Sequence, residues 1–178
     1  MKLMILGHSR HGKDTVSEYL KKNYQLTFES SSMHCAEAVV FPALREMYNY
    51  TSVEECYNDR HNHRKEWYEL ISDYCKDDLA RIAREIFAKS DIYCGLRNKR
   101  EFHSAKNNGL FDYAIWVDRT DHLPPEDKES NSIEPWMADF VIDNNGTIEQ
   151  LYRNVDDLVR FLTEFYVANV SQEDGIIL

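Results

Sequence analysis

A nearly unbroken apolar run, Lys2-Leu3-Met4-Ile5-Leu6, ends at a glycine and opens directly into Gly7-His8-Ser9-Arg10-His11-Gly12-Lys13, which fits G-x-x-x-x-G-K. Val16, Tyr19 and Leu20 follow at helical spacing. Buried strand, glycine-bounded loop and helix in that order form the start of a βαβ unit, which commits the chain to an α/β fold with parallel strands. The glycines let the backbone curl until its N–H groups point inward at an anion, and the helix N-terminus adds a favourable dipole. Lys13 then reaches the β- and γ-phosphates of a nucleotide. The expected phosphate-binding residues are therefore Gly7, His8, Ser9, Arg10, His11, Gly12, Lys13, Asp14 and Thr15, with Lys13 also the catalytic cation.

The rest of the chain supports the same architecture. Leu26-Thr27-Phe28, residues 91–95, residues 113–117 and residues 138–142 read as further strands, making a parallel sheet of about five flanked by helices. Ser30-Ser31-Ser32 reads as a turn or cap before a helix over 33–48, and 52–88 carries helical apolar faces, so 33–88 is the helical region expected to receive an acceptor. Residues 119–135, with Pro124-Pro125 and many charges, read as an exposed loop or lid. Asn144-Asn145-Gly146 breaks the chain, Thr147 caps a last helix with apolar positions from Ile148 to Leu162, and the tail beyond Phe165 has no clear period. All 178 residues are expected to form one domain.

Thirty-one acidic against 21 basic side chains give a net charge of −10, the wrong sign for indiscriminate polyanion binding. A local exception runs from Lys89 to Lys106, where five cations meet two carboxylates. Cys35, Cys56, Cys75 and Cys94 form no C-x-x-C pair, so reduced, packed thiols are expected. With no long apolar window and no signal-peptide pattern at the N-terminus, a soluble cytoplasmic protein with no membrane partner is the expectation.

The position after Lys13, ordinarily a Ser or Thr that ligates Mg²⁺, is Asp14, followed by Thr15. A carboxylate suits this hard cation too, so Asp14 holds the metal directly or through water, with Thr15 the competing ligand. The strand before Gly95 lacks a terminal Asp, which leaves Asp118 or Glu29 as the second metal carboxylate. Glu29 is better suited to be the base, because transfer to an alcohol gains from a carboxylate that accepts the hydroxyl proton. Arg97 follows a strand and so lies at the ligand edge of the sheet, where its planar fork can clamp an acceptor or a moving phosphoryl group, with Arg100 three residues on. Arg119 opens the polar loop as a lid arginine. Arg64 belongs to a basic stretch, from Arg60 to Lys65, beside Trp67 and Tyr68, which could stack on a base. No N-K-x-D motif supports a GTPase.

Residues 7–15, the stretch from Gly95 to Phe102 and the stretch from Met137 to Gly146 together resemble bacteriophage P-loop kinases of the deoxynucleoside monophosphate kinase group. They resemble most the branch that phosphorylates 5-hydroxymethyldeoxyuridine within phage DNA, a step toward hypermodified thymine. The resemblance spans roughly residues 1–162. It implies ATP and Mg²⁺ as cofactors and an acceptor that is either such DNA or a free deoxynucleoside monophosphate. It also implies a place in the cytoplasm of an infected bacterium, and it leaves a homodimer open. By the same resemblance Asn144, Asn145 and Gly146 sit beside the adenine. The competing class is a nucleotide-binding switch that keeps the loop without the chemistry.

Overall fold

The computed structural model describes residues 1–173, with side chains through residue 164. Five parallel strands, β1 (Leu3–Leu6), β2 (Phe28–Ser30), β3 (Ile92–Cys94), β4 (Tyr113–Asp118) and β5 (Phe140–Asp143), form one sheet in the order β2-β3-β1-β4-β5. Strand β1 lies between β3 and β4, in register with Ile92 on one side and Tyr113 on the other through Leu3. The strand order turns back at β1, so the loop that leaves it opens at the topological switch point, where ligands of such sheets bind.

Alternation along the strands builds two cores. Met4, Leu6, Tyr93, Ala114 and Trp116 face one side, while Leu3, Ile5, Ile92, Ile115 and Val117 face the other. The second side is covered by α1 (Lys13–Tyr24), through Val16 and Leu20, and by the final helix, through Leu151, Val155 and Leu162.

The first side is covered by a rod that begins at α2 (Ser31–Cys35), widens into a π turn over Ala36–Val40 and continues as α3 (Phe41–Tyr48). Ser30 caps it by accepting from the Met33 N–H, as its position after a strand suggests. The region 52–88 is three helices, α4 (Val53–Asn58), α5 (Arg64–Cys75) and α6 (Arg81–Phe87). Helix α7 (Lys99–Asn107) follows β3, capped by the Asn98 side chain.

Three expectations need correction. Strand β2 lies two residues later than its apolar run, because Phe28, Glu29 and Ser30 pair with Ile92, Tyr93 and Cys94, and that ladder tolerates the polar pair at an edge. The lid segment is not wholly exposed: Asn131 and Ile133 are buried, Ile133 within the first core. The last helix, α8 (Ile148–Glu173), runs past Leu162 and Phe165, while the Gly175 to Leu178 end of the tail lies outside the described residues. Thr147 and Gln150 cap α8 reciprocally, as expected. All four cysteines are free and buried. Among the described residues no helix is long and apolar enough to cross a membrane.

Candidate active site

The loop between β1 and α1 is held in shape by close backbone approaches that only glycine permits. Gly7 has φ 142°, and a Cβ there would lie 2.6 Å from the Val117 carbonyl oxygen. Gly12 has φ 98°, and its Cβ would lie 2.4 Å from Asn144 Nδ2. That amide donates to the His11 carbonyl at 2.8 Å, and the Asn144 N–H donates to the Asp118 carbonyl at 2.7 Å. Asn144 is thus a buried brace for the loop, with one amide hydrogen committed to the His11 carbonyl. Asn145 and Gly146 remain at the surface turn.

Lys13 lies buried at the floor of the loop and donates to the His8 carbonyl at 2.6 Å. Burial lowers its pKa below the ordinary lysine value, opposed by Cys94, Asp14 and Glu126 nearby. Asp14 stands exposed on the first turn of α1 and accepts from the Cys94 thiol at 3.6 Å. Burial first, and then the Asp14 carboxylate, push that thiol up to about 12, so it acts as a neutral donor. One exposed carboxylate at the mouth of a phosphate loop fits Mg²⁺, which keeps most of its waters and needs few protein ligands once phosphates are bound. Among the described residues no group of three His, Cys, Asp or Glu side chains is placed to hold a metal ion. Asp118, at the end of β4, accepts from Thr120 Oγ1 at 3.0 Å and from Asn145 Nδ2 at 3.3 Å.

Residues 119–135 strap the loop down. The Arg119 N–H donates to His11 Nδ1 at 3.1 Å, and the Glu126 N–H donates to His8 Nδ1 at 3.2 Å. Both rings accept at Nδ1, which needs that nitrogen unprotonated, and burial lowers the pKa of both. Asn131 Nδ2 reaches the Gly7 carbonyl at 3.4 Å. The Glu126 carboxylate closes the set: one oxygen accepts from the Ser9 N–H at 2.6 Å, the other from Arg97 Nη1 at 2.8 Å. A carboxylate held between a loop N–H and an arginine occupies ground suited to a phosphate.

The structure brings Lys13, Asp14, Arg97 and the backbone of Arg119 to this loop. Thr15 follows on α1, and Arg10 points to solvent from a left-handed backbone, φ 62°. Arg100 lies on the exposed first turn of α7. Glu29, in the edge strand β2, has both oxygens engaged: one meets His34 Nδ1 at 3.0 Å and the other Lys89 Nζ at 3.1 Å, while His34 Nε2 meets Glu85 at 2.8 Å. Arg64 is exposed at the start of α5. The stacking platform expected beside it is reduced to Tyr68, because Trp67 packs into the core. Sequence reasoning missed Glu126, Asn131 and the anchoring role of the two histidines. Pro124-Pro125 marked a stiff segment, but no spacing rule places residue 126 against residue 9.

No family model matches the sequence, and no curated protein does. Solved structures do. Shikimate kinase from Aquifex aeolicus superposes over 94% of this chain and 99% of its own, with TM-score 0.50 and 13% identity. Shikimate kinase from Bacteroides thetaiotaomicron does so over 92% and 98%, with TM-score 0.51 and 10% identity. The chain has the P-loop kinase fold. In that fold the loop at 7–15 joins the first strand to the first helix, and the strap is the segment between the fourth and fifth strands. Asp14 follows the loop lysine at the start of α1, and the Cys94 thiol at the end of β3 donates to it.

Proposed function

We propose that this chain transfers the γ-phosphoryl group of ATP to the hydroxymethyl group of 5-hydroxymethyldeoxyuridine in DNA. The observation that carries the kinase reading is Lys13, buried at the floor of a glycine-bounded loop at the switch point, with Arg97 linked to the Ser9 N–H of that loop through the Glu126 carboxylate. In the reaction the acceptor oxygen bonds to the γ-phosphorus, the bond to the β-γ bridging oxygen breaks, and ADP leaves. Lys13, the N–H groups of the P-loop and Arg97 hold the charge that spreads over the phosphoryl oxygens. Asp14 would hold Mg²⁺, which neutralises charge on the β- and γ-phosphates. Glu29 takes the hydroxyl proton in this reading, and its contact with His34 offers that proton an onward path to Glu85. Glu29→Gln is then expected to depress turnover without weakening ATP binding, and a loss of ATP binding would move Glu29 to the metal site.

Glu126 must leave Ser9 before phosphates can enter. Glu126→Ala is expected to tighten ATP binding roughly tenfold, or about 1.4 kcal/mol, in titration calorimetry. Unchanged or weaker binding would mean that the carboxylate does not compete for the loop.

The second reading, a kinase for free deoxynucleoside monophosphates, is favoured by the net charge of −10. Transfer from γ-labelled ATP, offered DNA containing 5-hydroxymethyldeoxyuridine in one arm and free deoxynucleoside monophosphates in the other, decides between them. Label on DNA supports the proposal, and label on mononucleotides alone replaces it with the second reading. Tight ATP binding with no acceptor-dependent ADP release would leave a nucleotide-binding switch.

A further inference from the structure

Beside α7 lies a cleft of about 580 Å³ that contains none of the P-loop. Lys99, Arg100 and His103 line it from α7, Lys128 and Ser132 from the strap, and Trp136 from the short 3-10 turn Pro135–Met137. Its one carboxylate, Glu134, pairs with Lys128 at 3.4 Å. Trp136 is 79% exposed, whereas Trp67 and Trp116 are buried. An indole left open beside cations offers a face on which a base can stack.

We infer that this cleft binds a single strand of nucleic acid, with phosphates on Lys99, Arg100 and Lys128 and one base stacked on Trp136. Charge argues for the partner's sign: on a chain of net charge −10, three cations around one cleft are a local reversal that suits a polyanion. The cations stand on two separate elements and the ring on a third, so the cleft offers both phosphate and base contacts to a strand. The ring argues against an acidic peptide, since every nucleobase presents a π-face and a run of carboxylates does not. The cleft also leads to the P-loop. The Ser132 N–H donates to the Arg97 carbonyl at 2.9 Å, and the Lys99 N–H to Ser132 Oγ at 3.0 Å. Arg97 in turn reaches Glu126 on the loop. The wall of the cleft is therefore bonded to the segment that carries Arg97. The inference rests on the DNA reading of the acceptor, and binding can be measured without turnover.

The test is fluorescence titration of the full chain with an oligothymidylate of about twelve nucleotides, within the span of known single-strand sites, with no hydroxymethyl group and no ATP. Trp136 is the exposed indole, so its quenching reports the cleft. Saturable quenching is expected, with log affinity falling against log salt at a slope of about −2 for three phosphates. Anisotropy with a dye-labelled oligothymidylate should show about fivefold weaker binding or worse for Trp136→Leu and for Lys128→Ala. Both side chains are largely exposed, so the variants should fold. No binding, binding unaffected by either substitution, or equal binding of thymidine monophosphate or polyglutamate would overturn the inference. If the oligonucleotide fails to bind while modified DNA is still labelled, the cleft falls and the proposed function stands. If it binds as described while only mononucleotides are labelled, the cleft stands and the DNA acceptor falls.

Discussion

Lys13→Ala should lower phosphoryl transfer by about a thousandfold or more, since removal of one preorganised charge-stabilising donor from an active site typically costs 10²–10³ in rate and this one carries a full charge. The folded chain should survive. What the substitution removes from the structure is one hydrogen bond to the His8 carbonyl, worth about 0.5–1.5 kcal/mol. The loop keeps its brace from Asn144 and its strap through Ser9 and Gly7. For a chain of this length that corresponds to a fall in melting temperature of a few degrees, roughly 2–4 °C per kcal/mol. The measurement is label transfer alongside thermal unfolding. A variant that turns over normally would remove the P-loop from the chemistry, and one that no longer melts cooperatively would make Lys13 structural.

Gly7→Ala should be nearly as damaging, by a different route. The new Cβ would meet the Val117 carbonyl oxygen at 2.6 Å, and that atom belongs to β4 in the middle of the sheet, with no side chain that can swing away. The backbone at φ 142° is itself nearly closed to other residues, which adds strain of about 1–3 kcal/mol. The chain must either push β1 and β4 apart or reshape the loop, so loss of stability and loss of nucleotide affinity should appear together. Gly109→Ala is the control. It sits at φ 62° with nothing within 4 Å, so only the left-handed penalty of about 1–2 kcal/mol applies. Equal destabilisation of the two variants would show that the close approach of Gly7 to Val117 carries no weight.

The sheet was readable because each strand announces itself by a local rule. Leu3 to Leu6 and Ala114 to Val117 are apolar on both faces, as buried parallel strands must be. The P-loop was readable for a similar reason: its glycines, lysine and neighbours lie within a short span. Strand β2 was displaced because its pairing with β3 is a long-range choice that overrides where the apolar residues sit. The site was only partly readable, and the missing pieces share a cause. Glu126 meets Ser9 across 117 positions and Asn144 meets His11 across 133, and no periodicity encodes such meetings. Asn144 shows the hazard most clearly. It lies at the carboxyl end of a strand as expected, and one of its amide's hydrogen-bonding sites is given to the backbone of the loop, a use that no spacing rule announces.

A chain that carries its own carboxylate on its own anion site treats the anions of its surroundings unequally. Glu126 is tethered, so the loop faces it at an effective concentration that for short tethers is on the order of millimolar. A simple anion such as inorganic phosphate or sulfate has little beyond charge to offer against that, and so rarely gains the loop. A nucleotide offers several phosphates, a base and an accompanying cation together, and can displace the tether by summing them. On the proposed function the strap would work as a threshold, so that simple salts leave the loop closed and a nucleotide opens it by evicting the Glu126 side chain.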